Sequence, residues 1–219
     1  MDRHIATAHP PEFDSAFRER LEALFRWRRD VRHFRRDAIP PETISALIGQ
    51  ACLAPSVGYS QPWRFVSVED AGRRAKIREN FSACNAAALA DYADERARLY
   101  AKLKLAGLDE APVHLAVFAD EDSETGHGLG QKTMPETRAF SAVMAIHTLW
   151  LAARARGIGM GWVSILDPAP MNTALDVPDA WTFIAYLCLG LPEHESDEPE
   201  LSKRGWERAD AAARALHRR

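Results

Sequence analysis

Three arginines, Arg28, Arg29 and Arg32, crowd into five residues with Asp30 set among them. Planar guanidinium forks present paired donors, a geometry suited to phosphate. The same spacing fits a solvated charged turn, and on spacing alone the two readings stand about even. Far down the chain a second basic step, Lys203-Arg204, either joins a phosphate site or decorates a tail. Between them, Pro55 and Pro62 bracket a polar stretch holding Ser56, Gly58, Ser60 and Gln61. Such a stiff loop offers backbone and amide groups to the edge of a heteroaromatic ring, although a helix-to-strand connection is the simpler account of it in isolation. Ser164 falls inside an apolar run read as a strand, where a hydroxyl needs a partner. A serine bonded to nearby backbone is the simpler account there too.

Other chemistries find little support. Gly157, Gly159 and Gly161 mimic a dinucleotide fingerprint, but they follow a helix and precede a strand, the reverse of the required order. They read instead as a helix C-cap and a close backbone approach. His114, His127, Asp120, Glu121 and Asp122 are near in sequence, yet no HExxH or paired CxxC accompanies them, so no metal is expected. Cys52, Cys84 and Cys188 are an odd set without CxxC spacing and read as small apolar core residues in a reducing compartment.

The elements that must position these residues can be read from periodicity. Asp14 or Ser15 caps a first helix with Phe17, Leu21, Leu24 and Phe25 on one face. A second begins near Pro41, turns Ile44, Leu47, Ile48 and Ala51 inward, and stops at Pro55. Strands are expected at 64–68, 113–119, 162–166 and 183–189, and a short helix at 169–175. Residues 70–106 read as mostly helical without a strong apolar stripe, hence peripheral, with about 80–108 a candidate lid. A helix from about Pro135 to Arg156 is apolar nearly all round, through Phe140, Val143, Met144, Ile146, Leu149, Trp150 and Leu151, which suits a central helix or a subunit interface. A terminal helix is expected in the tail. Four or five strands mixed with long helices, without a regular β-α-β rhythm, argue for α+β. Residues 1–13 read as disordered and 14–219 as a single domain.

The bulk numbers agree with that size: 219 residues, 47% hydrophobic and 27% charged, with a net charge of −3. Neither nucleic acid nor membrane is an expected partner. The uncharged apolar stretch 139–153 is too short to span a bilayer, and the N-terminus does not read as a signal peptide. The cytoplasm is the expected location.

Order sharpens these signals. Arg28-Arg29-x-Val31-Arg32-x-Phe34 is followed by Ala54-Pro55-Ser56, by Gln61-Pro62-Trp63-Arg64-Phe65, by the long apolar helix, by Gly159-x-Gly161, and by the late Lys-Arg. The series resembles the FMN-dependent nitroreductase family across about residues 15–206. The resemblance implies an α+β fold with a central mixed, mainly antiparallel sheet flanked by helices, in an intertwined homodimer with FMN between subunits. It implies FMN binding by Arg28, Arg29, Arg32, Ser56, Gln61, Gly161, Lys203 and Arg204. Asp30 stands where the common motif has serine, and Val57 and Tyr59 stand where the common loop has serine and asparagine. Those departures, and Met134-Pro135-Glu136-Thr137-Arg138, are similar to the dimethylbenzimidazole synthase branch, as is a charged helical lid.

That branch implies an enzyme in which FMN is substrate rather than cofactor. Reduced FMN is fragmented with dioxygen to 5,6-dimethylbenzimidazole, the lower ligand of cobalamin, and erythrose 4-phosphate. No metal is involved, Asp30 and Ser164 are the candidate catalytic residues, and dioxygen is the co-substrate. NAD(P)H is a candidate indirect reductant and a separate flavin reductase a candidate partner, while the sequence leaves open whether NAD(P)H binds this chain. Nearby cations are expected to lower the Asp30 pKa and keep it ionised. The alternatives are a conventional NAD(P)H-dependent nitroreductase or flavin reductase, and a flavin-sequestering module without catalysis.

Overall fold

The computed structural model describes residues 10–218. Expected disorder at 1–9 lies outside them; residues 10–13 are exposed and without regular structure. The elements run α1 (Ser15–Trp27), α2 (Pro41–Ala51), β1 (Trp63–Ser67), α3 (Ala71–Ala90), α4 (Asp94–Tyr100), β2 (Val113–Asp120), α5 (Thr137–Arg154), β3 (Gly159–Val163), α6 (Met171–Leu175), β4 (Trp181–Gly190) and α7 (Glu200–Lys203). The class is α+β, as the mixture of strands and helices predicts.

The strands form one sheet in the order β1-β2-β4-β3, antiparallel at every neighbour. A parallel bridge from Asp30 to Met160 extends the β3 edge. The central strands are buried on both faces. Strand periodicity sends Leu115 and Val117 of β2 to one side, against Leu47 of α2 and Ile146 and Leu149 of α5. It sends Ala116 and Phe118 to the other, with Ile77 of α3, Met171 and Leu175 of α6, and Tyr186. The result is a sheet between two helical layers.

Local signals set the helix ends. The Asp14 carboxylate accepts the Phe17 N–H at 2.7 Å, and Asp70 accepts that of Arg73 at 2.8 Å. Past α5, Gly157 adopts φ +72°, and the Ile158 N–H returns to the Ala153 carbonyl at 3.0 Å. This is the left-handed turn that a glycine makes without steric penalty.

Several boundaries and placements differ from the sequence reading. Strand β3 begins at Gly159 and ends at Val163, so Ser164 is not inside a strand but exposed beyond its end. Pairing with β4 stops where Val163 meets Tyr186, and the chain then turns away toward α6. No terminal helix forms among the described residues; α7 and one 3-10 turn at Ala212–Arg214 are all the tail contains. Residues 207–218 are exposed throughout, with no apolar face to dock. Of the cysteines only Cys188 is core; Cys84 is half-buried and Cys52 exposed. The 70–106 stretch is anchored more firmly than its composition suggests, by Ile77 and Tyr100, and Leu108 just beyond it is also buried.

Candidate functional site

Helix α1 ends at Trp27 and is capped by Arg28, whose N–H donates to the Leu24 carbonyl at 2.9 Å and whose backbone is extended. The chain then runs along the β3 edge, where the Val31 N–H donates to the Met160 carbonyl at 3.0 Å. This approach explains two of the glycines. A Cβ on Gly159 would stand 2.8 Å from Val31 Cγ2, and one on Gly161 would stand 2.2 Å from the Val31 carbonyl oxygen. The glycines let the arginine segment lie flat against the strand, which is backbone packing rather than phosphate cradling.

Asp30 is fixed at both oxygens. Its Oδ1 accepts the Trp162 N–H at 2.9 Å, and its Oδ2 accepts Arg32 Nε at 2.7 Å. Burial pushes its pKa above the ordinary carboxylate value, while Arg32, the Trp162 N–H and Arg28 pull it back. The expected lowering is therefore reversed in sign: loss of water around the carboxylate outweighs the cations beside it.

Arg29 donates to the Asp197 carbonyl at 2.8 Å and to the Arg28 carbonyl at 2.9 Å. Burial and the neighbouring cations Arg28 and Arg26 lower its pKa, with Asp197 opposing them. A guanidinium so placed gains from an incoming anion. Arg28 instead lays its guanidinium 4.8 Å from the centre of the Trp150 ring, whose indole N–H donates to the Arg29 carbonyl at 3.2 Å.

These residues frame a cavity of about 470 Å³, open to solvent, within the range of small-molecule sites. Arg29, Asp30, Arg32, Lys203 and Arg204 all line it, so the structure brings the early cluster and the late basic pair together. Arg28 lines a smaller adjoining cavity with Arg29, Arg32 and Pro199. Trp150, read above only as part of an apolar helix, lines it as well, and residues that periodicity did not single out complete the wall: Trp27, Arg154, His194 and the carboxylates Glu195, Glu198 and Glu200. Glu200 sits 3.4 Å from His33 and 3.7 Å from Arg204. The one available signal was Trp150, an indole N–H within an apolar helix that requires an acceptor.

Ser56 and Gln61 do not line this cavity. They lie on a tight loop in which Tyr59 and Gln61 take φ of +56° and +45°, and the Ser56 hydroxyl accepts the Gln61 N–H at 3.1 Å. The loop is pinned to α5 through the Val57 N–H, which donates to Ser141 Oγ at 3.0 Å. Ser164 is likewise outside the cavity wall, and Gly161 is buried beneath Val31.

A family model described as the nitroreductase family matches residues 25–191. The chain belongs to the nitroreductase family. Within it, the chain is 62% identical over 197 residues to the 5,6-dimethylbenzimidazole synthase of Rhodospirillum rubrum, covering 90% of this chain and 93% of that protein. A second protein of that name, from Rhodobacter capsulatus, is 49% identical over 195 residues, covering 89% and 94%. Among solved nitroreductase folds, iodotyrosine deiodinase bound to FMN and 3-iodo-L-tyrosine superposes with a TM-score of 0.67 at 23% identity, covering 80% of this chain and 91% of that one. A nitroreductase family protein from Streptococcus pneumoniae gives 0.65 at 21%, covering 90% and 100%. Among the described residues no helix is long and apolar enough to cross a membrane.

Proposed function

We propose that this chain is a 5,6-dimethylbenzimidazole synthase that binds reduced FMN as substrate and, with dioxygen, fragments it to 5,6-dimethylbenzimidazole and erythrose 4-phosphate. The observation that carries the reading is Asp30: a carboxylate clamped between the Trp162 N–H and Arg32, on the wall of a cavity lined with cations. An enzyme that only passes a hydride has no use for a base there. A fragmentation that moves protons on the ribityl chain does. The high identity to two proteins named for this synthesis supports the same assignment.

Arg29, Arg32, Lys203 and Arg204 hold the phosphate end of FMN, with Arg28 beside them. Trp27 and Trp150 supply apolar wall. Asp30 orients or deprotonates a ribityl hydroxyl, and its raised pKa brings it nearer to the range where a carboxylate exchanges protons readily. Ser56, Gln61 and Ser164 act at the ring, with the Ser56–Gln61 loop supplied by a second copy of the chain in a homodimer. Electrons reach FMN from NAD(P)H through a separate reductase, in the cytoplasm.

The test is direct. The protein is mixed with chemically reduced FMN in air and the products are separated by chromatography. Formation of 5,6-dimethylbenzimidazole is the expected result. Plain reoxidation would make the protein a flavin reductase or nitroreductase, and slowed reoxidation without new products would make it a flavin-sequestering module.

A further inference from the structure

Beyond Lys203-Arg204 the tail closes on α4 through an aromatic cluster. Trp206 meets Tyr92 edge to face, at 5.4 Å and 86°, and lies 6.0 Å from Tyr100, while the two tyrosines are 5.1 Å apart. The Arg96 guanidinium sits 5.0 Å from the Trp206 ring centre, and its Nη1 donates to the Trp206 carbonyl at 2.8 Å. The Tyr100 hydroxyl donates to Asn85 Oδ1 at 2.8 Å, which ties the cluster to α3.

Trp206 is joined stiffly to the basic pair. Gly205, at φ +74°, ends α7; its N–H returns to the Ser202 carbonyl at 3.0 Å, and the Trp206 N–H returns to that of Leu201 at 2.9 Å. Fixing Lys203 and Arg204 therefore fixes the indole. At its other end the same segment meets the early cluster, where Arg32 Nη1 donates to the Lys104 carbonyl at 3.3 Å. Residues 91–106 thus meet the cavity-lining Arg32 at one end and, at the other, Trp206, two residues beyond the cavity-lining Arg204. A tail packed for stability alone has no need of an exposed arginine stacked on the indole that follows the cavity's own basic pair.

We propose that Trp206 is a specificity-determining positioning residue: it transmits occupation of the Lys203-Arg204 site by a phosphate to residues 91–106, so that a phosphorylated flavin orders that segment and an unphosphorylated flavin does not. The inference rests on the reading of the cavity as an FMN site. Coupling of this kind is reciprocal, so a segment held in place by Trp206 also tightens the grip on phosphate. Each aromatic contact is weak singly, which leaves the segment poised rather than locked.

The experiment is hydrogen exchange over 91–106 in the full chain, with FMN or riboflavin at saturation, in wild type, Trp206→Ala, Trp206→Phe and Arg96→Gln. In the wild type, FMN is expected to slow exchange about tenfold more than riboflavin, a usual size for coupling between sites. Trp206→Ala should erase that difference while still binding FMN, and Trp206→Phe should keep most of it. Arg96 is exposed, so Arg96→Gln does not threaten the fold and should shrink the difference. Equal protection by both flavins in the wild type overturns the proposal, as does an undiminished difference in Trp206→Ala or Arg96→Gln. FMN that failed to bind would overturn the cavity reading along with it. Selective protection by FMN without benzimidazole formation would uphold the coupling and remove the synthase.

Discussion

Asp30 shows what a single residue can and cannot reveal in sequence. Its place among arginines was legible, and so was its difference from the common motif. The direction of its titration was not, because burial depends on Trp162 and the β3 edge, more than a hundred residues away. Asp30→Asn keeps the size and one acceptor but loses the charge. FMN affinity should stay within a few-fold, since Arg29, Lys203 and Arg204 remain. Benzimidazole formation should fall about 10²–10⁴-fold, the worth of a positioned acid or base, while aerobic reoxidation of reduced FMN persists. Near-wild-type product formation, followed by chromatography, would reduce Asp30 to a counter-ion for Arg32. His114 carries a second residue-scale prediction. It is 2% exposed, its Nδ1 lies 2.9 Å from the Tyr186 hydroxyl, and burial with Arg74 nearby lowers its pKa from 6.5 to about 4. The folded state therefore holds the neutral ring while the unfolded chain takes up a proton. The stability this supplies is complete above about pH 6.5 and is lost as pH falls toward about 4, about 3 kcal/mol in all. Thermal unfolding between pH 7 and 4 should fall more steeply in the wild type than in His114→Gln. Parallel curves would count against a neutral buried histidine.

At the scale of elements, hydrophobic periodicity located the strands and α5, because a two-sided sheet and a central helix leave dense apolar runs. It failed where an element is held by few residues. Helix α3, read correctly as helical, has one buried residue, Ile77, 1% exposed among Phe118, Met171 and their neighbours in the core, and with Phe81 and Leu89 as its other large apolar side chains among alanines and charges it makes no stripe. Ile77→Ala should cost about 2–5 kcal/mol, the range for a large-to-small change in a packed core. Urea denaturation would measure it. A loss below about 1 kcal/mol would mean that α3 is as peripheral as its composition suggests. The β3 boundary failed for a different reason. Gly159 and Gly161 look like turn residues in sequence, but they pair with Gly190 and Cys188 of β4 as strand residues, and they are glycines because Val31 occupies the space their side chains would need. That crowding comes from a segment of the chain remote in sequence, while Ser164 falls outside the strand because pairing with β4 ends where Val163 meets Tyr186.

The whole molecule leaves two facts that one copy of the chain does not reconcile. Apolar side chains stand exposed along α5, at Phe140, Val143 and Met144, and at Phe25, Trp27 and Leu53, with exposures from 39% to 82%. Phe140, Val143 and Met144, spaced three and four apart, share one face of α5, and an exposed apolar face of this kind suits an interface. Meanwhile the Ser56–Gln61 loop, which the family resemblance assigns to FMN, does not line the cavity that holds Asp30 and the basic pair. A two-fold dimer would resolve both if its isologous interface brought each loop to the other copy's cavity. Light scattering should give twice 24.4 kDa, and Val143→Asp should yield monomers with impaired FMN binding. Complementation decides whether sites are shared. Arg29→Ala and Gln61→Ala protomers should each be weakly active alone. Unfolded together and refolded as an equal mixture, half of the dimers are mixed, and each mixed dimer carries one doubly altered site and one intact site. Activity should therefore recover to about a quarter of wild type. If instead each cavity draws on a single chain, every site keeps one lesion and mixing restores nothing, which would assign the loop to its own copy and the exposed α5 face to another purpose.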